Sequence, residues 1–269
     1  MRWIRLVVLG AVQGLTEFLP ISSDGHLAIA QLLLGISEDN LAITVALHSG
    51  TLLAVVVYFR TDLLRLVRSL PAMVSGGAAG DRRLLVAIVA GSVPTAILGL
   101  ALKGPTERLS ANLWAIGGFL VVSGAWNWVV VQKTRAAGAT RVLDAISVRD
   151  AVAIGVVQGL AVMPGLSRSG STIGMGALLG LSREGAARYS FLLSLPAVGG
   201  ALLLEAKDIS HFPTEQLAPV LLGSVVSFGV GLAALAILFR ILRAGRFDYF
   251  AFYCWALATA VFFAAFTAR

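Results

Sequence analysis

The chain has 269 residues, of which 58% are hydrophobic and only 13% charged. That is too little polar surface to clothe a soluble core, which excludes a water-soluble globular class and makes the bilayer the solvent. The formal charge of +7 taken alone would suit nucleic acid, but the arginines gather between apolar stretches, as in cytoplasmic loops, and nucleic acid is not expected as a partner.

In chain order, the first apolar region, 3–37, is interrupted by GAVQGLTEFLPISSDGH at 10–26. Its start, MRWIRLVVLGAVQG, has the charged and apolar regions of a signal peptide. Each apolar half holds about 10 to 15 residues, or about 15 to 22 Å of helix, less than the hydrocarbon thickness. The region therefore reads as a re-entrant hairpin whose irregular tip must be buried in protein or line a wet cavity. Spans are predicted at 41–59, 84–102 and 113–131. A second broken region, 151–182, carries PGLSRSGST at 164–172, and further spans are predicted at 189–206, 217–239 and 249–267.

Setting residue 10 on residue 155 without gaps aligns GAVQGLTEFLPISSDGH with GVVQGLAVMPGLSRSGS. Gly10, Val12, Gln13, Gly14, Leu15, Ser22 and Gly25 fall on identical residues. The chain thus reads as a duplication, with repeats at about 1–135 and 145–269, each one hairpin and three spans. A sequence repeated within the mature chain argues against cleavage of the first copy as a signal. An odd number of spans per repeat makes the repeats inverted. Arg60, Arg65, Arg68, Arg82 and Arg83, then Lys133, Arg135, Arg141 and Arg149, then Arg240, Arg243 and Arg246 all fall on one side of this topology, hence cytoplasmic. Both termini then lie outside, with Arg2 and Arg5 running against the rule. The expected fold is a single all-α membrane domain of six spans and two re-entrant hairpins whose polar tips meet near mid-membrane.

Arg168, a permanent cation in an apolar region, calls for an anion. Ser167, Ser169, Ser171 and Thr172, the backbone at Gly165 and Gly170, and the N-terminus of the following helix suit a phosphate or pyrophosphate. A purely structural bridge from Arg168 to Glu17 would leave the hydroxyls and glycines unexplained. In the first tip, Glu17 could hold a divalent cation or act as a base, Ser22 or Ser23 offers a nucleophile, and His26 follows Ser23 by three residues. Together these are parts for phosphoryl transfer. His48 could line the same cavity or simply pack in the bundle. His211 reads as solvated, Cys254 as packing, and Trp114, Trp126, Trp128 and Trp255 as interface anchors or packing residues. A nucleotide-binding loop is not visible.

QGLTEFLPISSDGH at 13–26 and PGLSRSGST at 164–172 closely resemble the motifs of the undecaprenyl-pyrophosphate phosphatase family, membrane enzymes linked to bacitracin resistance. The resemblance spans the whole chain. It implies hydrolysis of undecaprenyl pyrophosphate to recycle the lipid carrier of cell-wall synthesis, with magnesium or calcium as cofactor. It also implies residence in the bacterial inner membrane and a site open to the periplasm. By motif position, Glu17 matches an acidic residue, Ser23 the nucleophilic serine, His26 the motif histidine and Arg168 the phosphate-binding arginine. Ser22, Ser167, Ser169 and Thr172 match its hydroxyl-rich substrate site. Gln13 stands where glutamate is frequent and Asp24 where threonine is common, so the metal set reads as Glu17 with Gln13 and Asp24 as further candidates.

Attack by Ser23 with His26 or Glu17 as base, direct attack by His26, and attack by metal-activated water all fit the sequence. The rival reading is a lipid-phosphate transporter built on the same inverted repeats. It has no need of the Ser23 and His26 pair. A homodimer is left open.

Overall fold

The computed structural model describes residues 2–36, 41–74, 79–135, 141–209 and 214–267. His211 lies outside them. Among the described residues the regular structure is helical, apart from a 3-10 turn at Leu143–Ala145 and one isolated bridge between Arg141 and Leu181.

The first broken region forms α1 (Arg2–Thr16) and α2 (Ser23–Leu33); the second forms α7 (Val148–Leu160) and α8 (Arg168–Leu178). The remaining elements are α3 (Leu41–Tyr58), α4 (Arg60–Val74), α5 (Ala79–Ser110), α6 (Leu113–Arg135), α9 (Arg183–Ile209), α10 (Thr214–Arg243) and α11 (Asp248–Thr267). Among the described residues, five helices (α5, α6, α9, α10 and α11) are long and apolar enough to cross a bilayer. A sixth span is counted if α3 and α4, bent by 70° at their junction, are taken together. This is an all-α, multi-pass membrane protein, with side chains such as Leu33, Leu203, Phe263 and Phe266 turned outward.

The segment 60–83, expected to be a loop, holds α4 and the start of α5. Its arginines hid an amphipathic pattern: Leu66 and Ser69 are buried on one face, while Leu64, Val67 and Leu70 stay exposed.

Backbone contact between helices falls where side chains are absent. α1 packs on α10, and α7 on α5. A Cβ at Gly10 would collide with the Gly223 carbonyl, and one at Gly14 would lie 2.6 Å from the Ser227 oxygen. At the aligned positions of the second copy, a Cβ at Gly155 would collide with the Gly91 carbonyl, and one at Gly159 would lie 2.6 Å from Leu98 Cβ. Without a hydrophobic drive between helices in lipid, such close approach is how they hold together.

Phe18, buried and edge-on to Phe191 at 5.6 Å, anchors the first helix break in the core beside Phe59. At α7, Ser147 and Asp150 form a reciprocal capping box. Arg141 ties that cap to the end of α8, donating to Asp150 at 2.7 Å and to the Leu179 carbonyl at 2.8 Å.

Candidate active site

The two helix breaks meet. Glu17 extends one turn beyond Gln13 at the end of α1, so Gln13 Nε2 donates to Glu17 Oε2 at 3.0 Å. The Ser23 hydroxyl, in the first turn of α2, donates to the same oxygen at 2.6 Å. Arg168 Nη2, at the start of α8, pairs with Glu17 Oε1. Glu17 is thus buried, with both carboxylate oxygens engaged by donors. Arg168 Nη1 is buried and has no hydrogen-bond partner. A guanidinium with one arm paired and the other unsatisfied is the donor that an incoming phosphate oxygen completes.

Ser22 and Ser167, aligned in the two copies, take the same post. Ser22 Oγ accepts from the Gly25 amide at the start of α2, and Ser167 Oγ from the Gly170 amide at the start of α8. Their backbones differ. Ser167 is extended, with φ −76°, whereas Ser22 has φ 67°, the one non-glycine positive φ among the described residues. A residue held there costs on the order of 1–3 kcal/mol and persists only where its surroundings over-determine it.

Of the four hydroxyls expected to cradle phosphate, Ser167, Ser169 and Thr172 are committed to the fold, while Ser171 is half-buried. Ser169 Oγ donates to the Leu19 carbonyl at 2.9 Å, stitching one break to the other. Thr172 Oγ1 donates back to the Arg168 carbonyl at 2.8 Å and shares a 2.5 Å contact with Ser190 Oγ. Ser167, Ser169 and Thr172 are all buried. Beside the unpartnered arm of Arg168, what the second break presents is the N-terminus of α8, with its positive dipole end.

His26 and Ser23 share a helical turn, but the hydroxyl of Ser23 goes to Glu17. The Nδ1 of His26 lies 2.7 Å from the Ser22 carbonyl, and its Nε2 lies 2.7 Å from the Tyr253 hydroxyl. His48 joins the cluster: its Nδ1 is 2.8 Å from the Thr44 carbonyl, and its Nε2 faces Glu17 Oε2 at 3.7 Å and Asp24 Oδ1 at 3.8 Å. Of the two readings left open for it, lining the cavity is the one this geometry fits.

Sequence reasoning missed the role of α6. Ser123, Trp126 and Asn127 share one face of it. Ser123 Oγ donates to the Gly165 carbonyl at 3.0 Å and accepts from the Ser167 amide at 2.9 Å. The Trp126 indole donates to the Gly170 carbonyl at 3.2 Å, and Asn127 Nδ2 to the Pro20 carbonyl at 2.9 Å. One helix face thereby fixes both breaks. A mid-span asparagine is the signal that could have revealed this, since polar groups in an apolar span are there for a partner. Trp126, read as an anchor, serves the site, and Cys254, read as packing, also points its thiol at the Pro20 carbonyl, at 3.5 Å.

Among the described residues, no group of three or more His, Cys, Asp or Glu side chains is arranged to hold a metal ion. Magnesium needs less, because one or two carboxylates suffice when substrate phosphate and water complete its shell. Glu17 and Asp24 supply hard oxygens, and Gln13 Oε1 is buried without a hydrogen-bond partner. This donor set fits such an ion.

The family model for bacitracin resistance protein BacA matches residues 6–260. The chain is 48% identical over 264 residues to an undecaprenyl-diphosphatase of Desulfosudis oleivorans, covering 94% of this chain and 95% of the relative. It is 42% identical over 273 residues to one of Desulforapulum autotrophicum (97% and 98%), and 40% identical over 257 residues to one of Korarchaeum cryptofilum (93% and 94%). With a match to the family model over nearly its whole length, and with both family motifs meeting at one part-buried ion pair, the chain belongs to the BacA family of bacitracin resistance proteins.

Proposed function

We propose that the protein hydrolyses undecaprenyl pyrophosphate to undecaprenyl phosphate and phosphate, returning the lipid carrier to cell-wall synthesis and conferring bacitracin resistance. The observation that carries the chemistry is the half-paired guanidinium of Arg168, its free arm buried, beside a carboxylate that accepts the Ser23 hydroxyl. Arg168 Nη1 and the α8 N-terminus bind the terminal phosphate and offset its charge. Ser23 Oγ attacks that phosphorus in line, and its proton passes to Glu17 Oε2. The bridging P–O bond breaks and undecaprenyl phosphate leaves with the bonding electrons. Water then attacks the phosphoserine with His26 Nε2 taking its proton, the P–Oγ bond breaks, and Glu17 returns the first proton to Ser23 Oγ as phosphate departs. A divalent cation held by Glu17, Asp24 and Gln13 would supply further charge neutralisation. The 2.6 Å hydrogen bond makes Glu17 the first base for Ser23.

The finer architecture belongs to the same reading. Two re-entrant hairpins, α1–α2 and α7–α8, sit among six spans as inverted repeats. Supporting this are the matched caps at Ser22 and Ser167 and the reciprocal glycine crossings of α1 on α10 and α7 on α5. The arginine-rich segments then face the cytoplasm, and the site opens to the outer side of the inner membrane. A transporter needs no serine hydroxyl held on a carboxylate, so the phosphatase reading is favoured over it.

The test is phosphate release from undecaprenyl pyrophosphate by purified protein in detergent, with and without chelator, for wild type, Arg168→Ala and His26→Ala. Cation-dependent release is expected, abolished in Arg168→Ala and cut by about 10²-fold or more, to a measurable residue, in His26→Ala. Folded wild type that binds the substrate without releasing phosphate would overturn the proposal.

A further inference from the structure

Tyr253 reaches the site from α11, 227 residues away from His26 in sequence. Its hydroxyl lies 2.7 Å from His26 Nε2, and the two rings are nearly parallel, 12° apart with centroids at 5.6 Å. The other ring nitrogen, Nδ1, faces the Ser22 carbonyl at 2.7 Å. A carbonyl only accepts, so Nδ1 carries the imidazole proton and Nε2 presents its lone pair. The Tyr253 O–H therefore donates to Nε2. His26 is held at both ends: by the positive-φ backbone of Ser22 on one side, and by a tyrosine from the far end of the chain on the other.

We infer that Tyr253 is a positioning residue for the reaction: it fixes the His26 ring by bond and stack, and it covers the one ring nitrogen with a free lone pair until substrate arrives. The inference rests on the reading in which His26 serves phosphoryl transfer. Nothing about α11 announces this role, because its neighbours Tyr249 and Phe252 are ordinary outward-facing aromatics. Tyr253 itself is 44% exposed, so its contact with His26 sits at the edge of the site rather than in the core. There the attacking water or the tyrosine hydroxyl can donate to Nε2, but not both at once.

Two measurements on full-length protein in detergent test it. The first is the rate at which diethyl pyrocarbonate acylates His26, read by peptide mass spectrometry that separates it from His48 and His211. Tyr253→Phe keeps the ring and bares the lone pair, so acylation of His26 should rise several-fold. The second is steady-state phosphate release. Tyr253→Phe should lower kcat by about 2- to 10-fold, the worth of one neutral hydrogen bond, with KM little changed. In the His26→Ala background the same substitution should cost nothing more, because Tyr253 acts through His26.

Equal acylation in wild type and Tyr253→Phe overturns the contact. Faster acylation with unchanged kcat overturns the positioning role, and so does a change confined to KM or an additive loss in the double variant. Full activity of His26→Ala would instead sink the underlying reading of His26, while the acylation difference still reports the contact.

Discussion

Arg168 and Glu17, 151 residues apart, form an ion pair between two helix breaks with only one arm of the guanidinium engaged. Arg168→Lys keeps the charge and gives up the planar fork. It is expected to lower kcat/KM for phosphate release by about 10²- to 10³-fold. Thermal unfolding in detergent should shift less for it than for Arg168→Ala, which strands a buried carboxylate. Wild-type kinetics for the lysine variant would mean that the free arm does not meet phosphate.

Glu17 accepts the Ser23 hydroxyl directly. Glu17→Gln should therefore reduce kcat by about 10²- to 10⁴-fold. Ser23→Ala should fall as far, and the double variant should lose little beyond either, because the two residues act as a unit. A phosphorylated Ser23 trapped by rapid acid quench would confirm the covalent route. Near-wild-type turnover by Ser23→Ala would reject it.

The structure shows why the sequence revealed the breaks but not the details of their walls. Short apolar halves and a repeated motif are local signals, so α1–α2 and α7–α8 could be placed, as could Glu17 and Arg168 at a common point. Ser167 looked like a phosphate ligand, but a hydroxyl at a helix start serves equally as an N-cap, and sequence cannot separate the two uses. Tyr253 and His48 reach the cluster only through tertiary packing, from apolar helices whose periodicity gives them no distinction.

In the proposed reaction, the affinity for the divalent cation is set by Gln13 and Asp24 beside Glu17. Gln13→Glu adds a charged oxygen beside Glu17 and should lower the magnesium concentration for half-maximal activity. Asp24→Asn removes one and should raise it, each by about tenfold if one ligand contact worth about 1.4 kcal/mol changes hands. Titration of magnesium into chelator-stripped enzyme measures both. An unchanged midpoint in the two variants would place the ion elsewhere.

Gly155→Ala forces a methyl into the Gly91 carbonyl. It should destabilise the protein by about 1–3 kcal/mol. Gly99 and Gly229 have open space where a Cβ would stand. Alanine at either should be neutral or stabilising by up to about 1 kcal/mol through helix propensity. Unfolding midpoints in one detergent compare the three variants, and equal shifts would contradict the crossing.

The glycine crossings also set a timetable for biosynthesis. α7 finds α5 already made, but α1 has its glycine face, at Gly10 and Gly14, closed by α10, which begins at Thr214. At about 5–20 residues per second, the nascent chain spends on the order of 10–40 s with that face uncovered. α1 is thus housed only once α10 has followed it, and the half of the site that carries Glu17 and Ser23 waits with it.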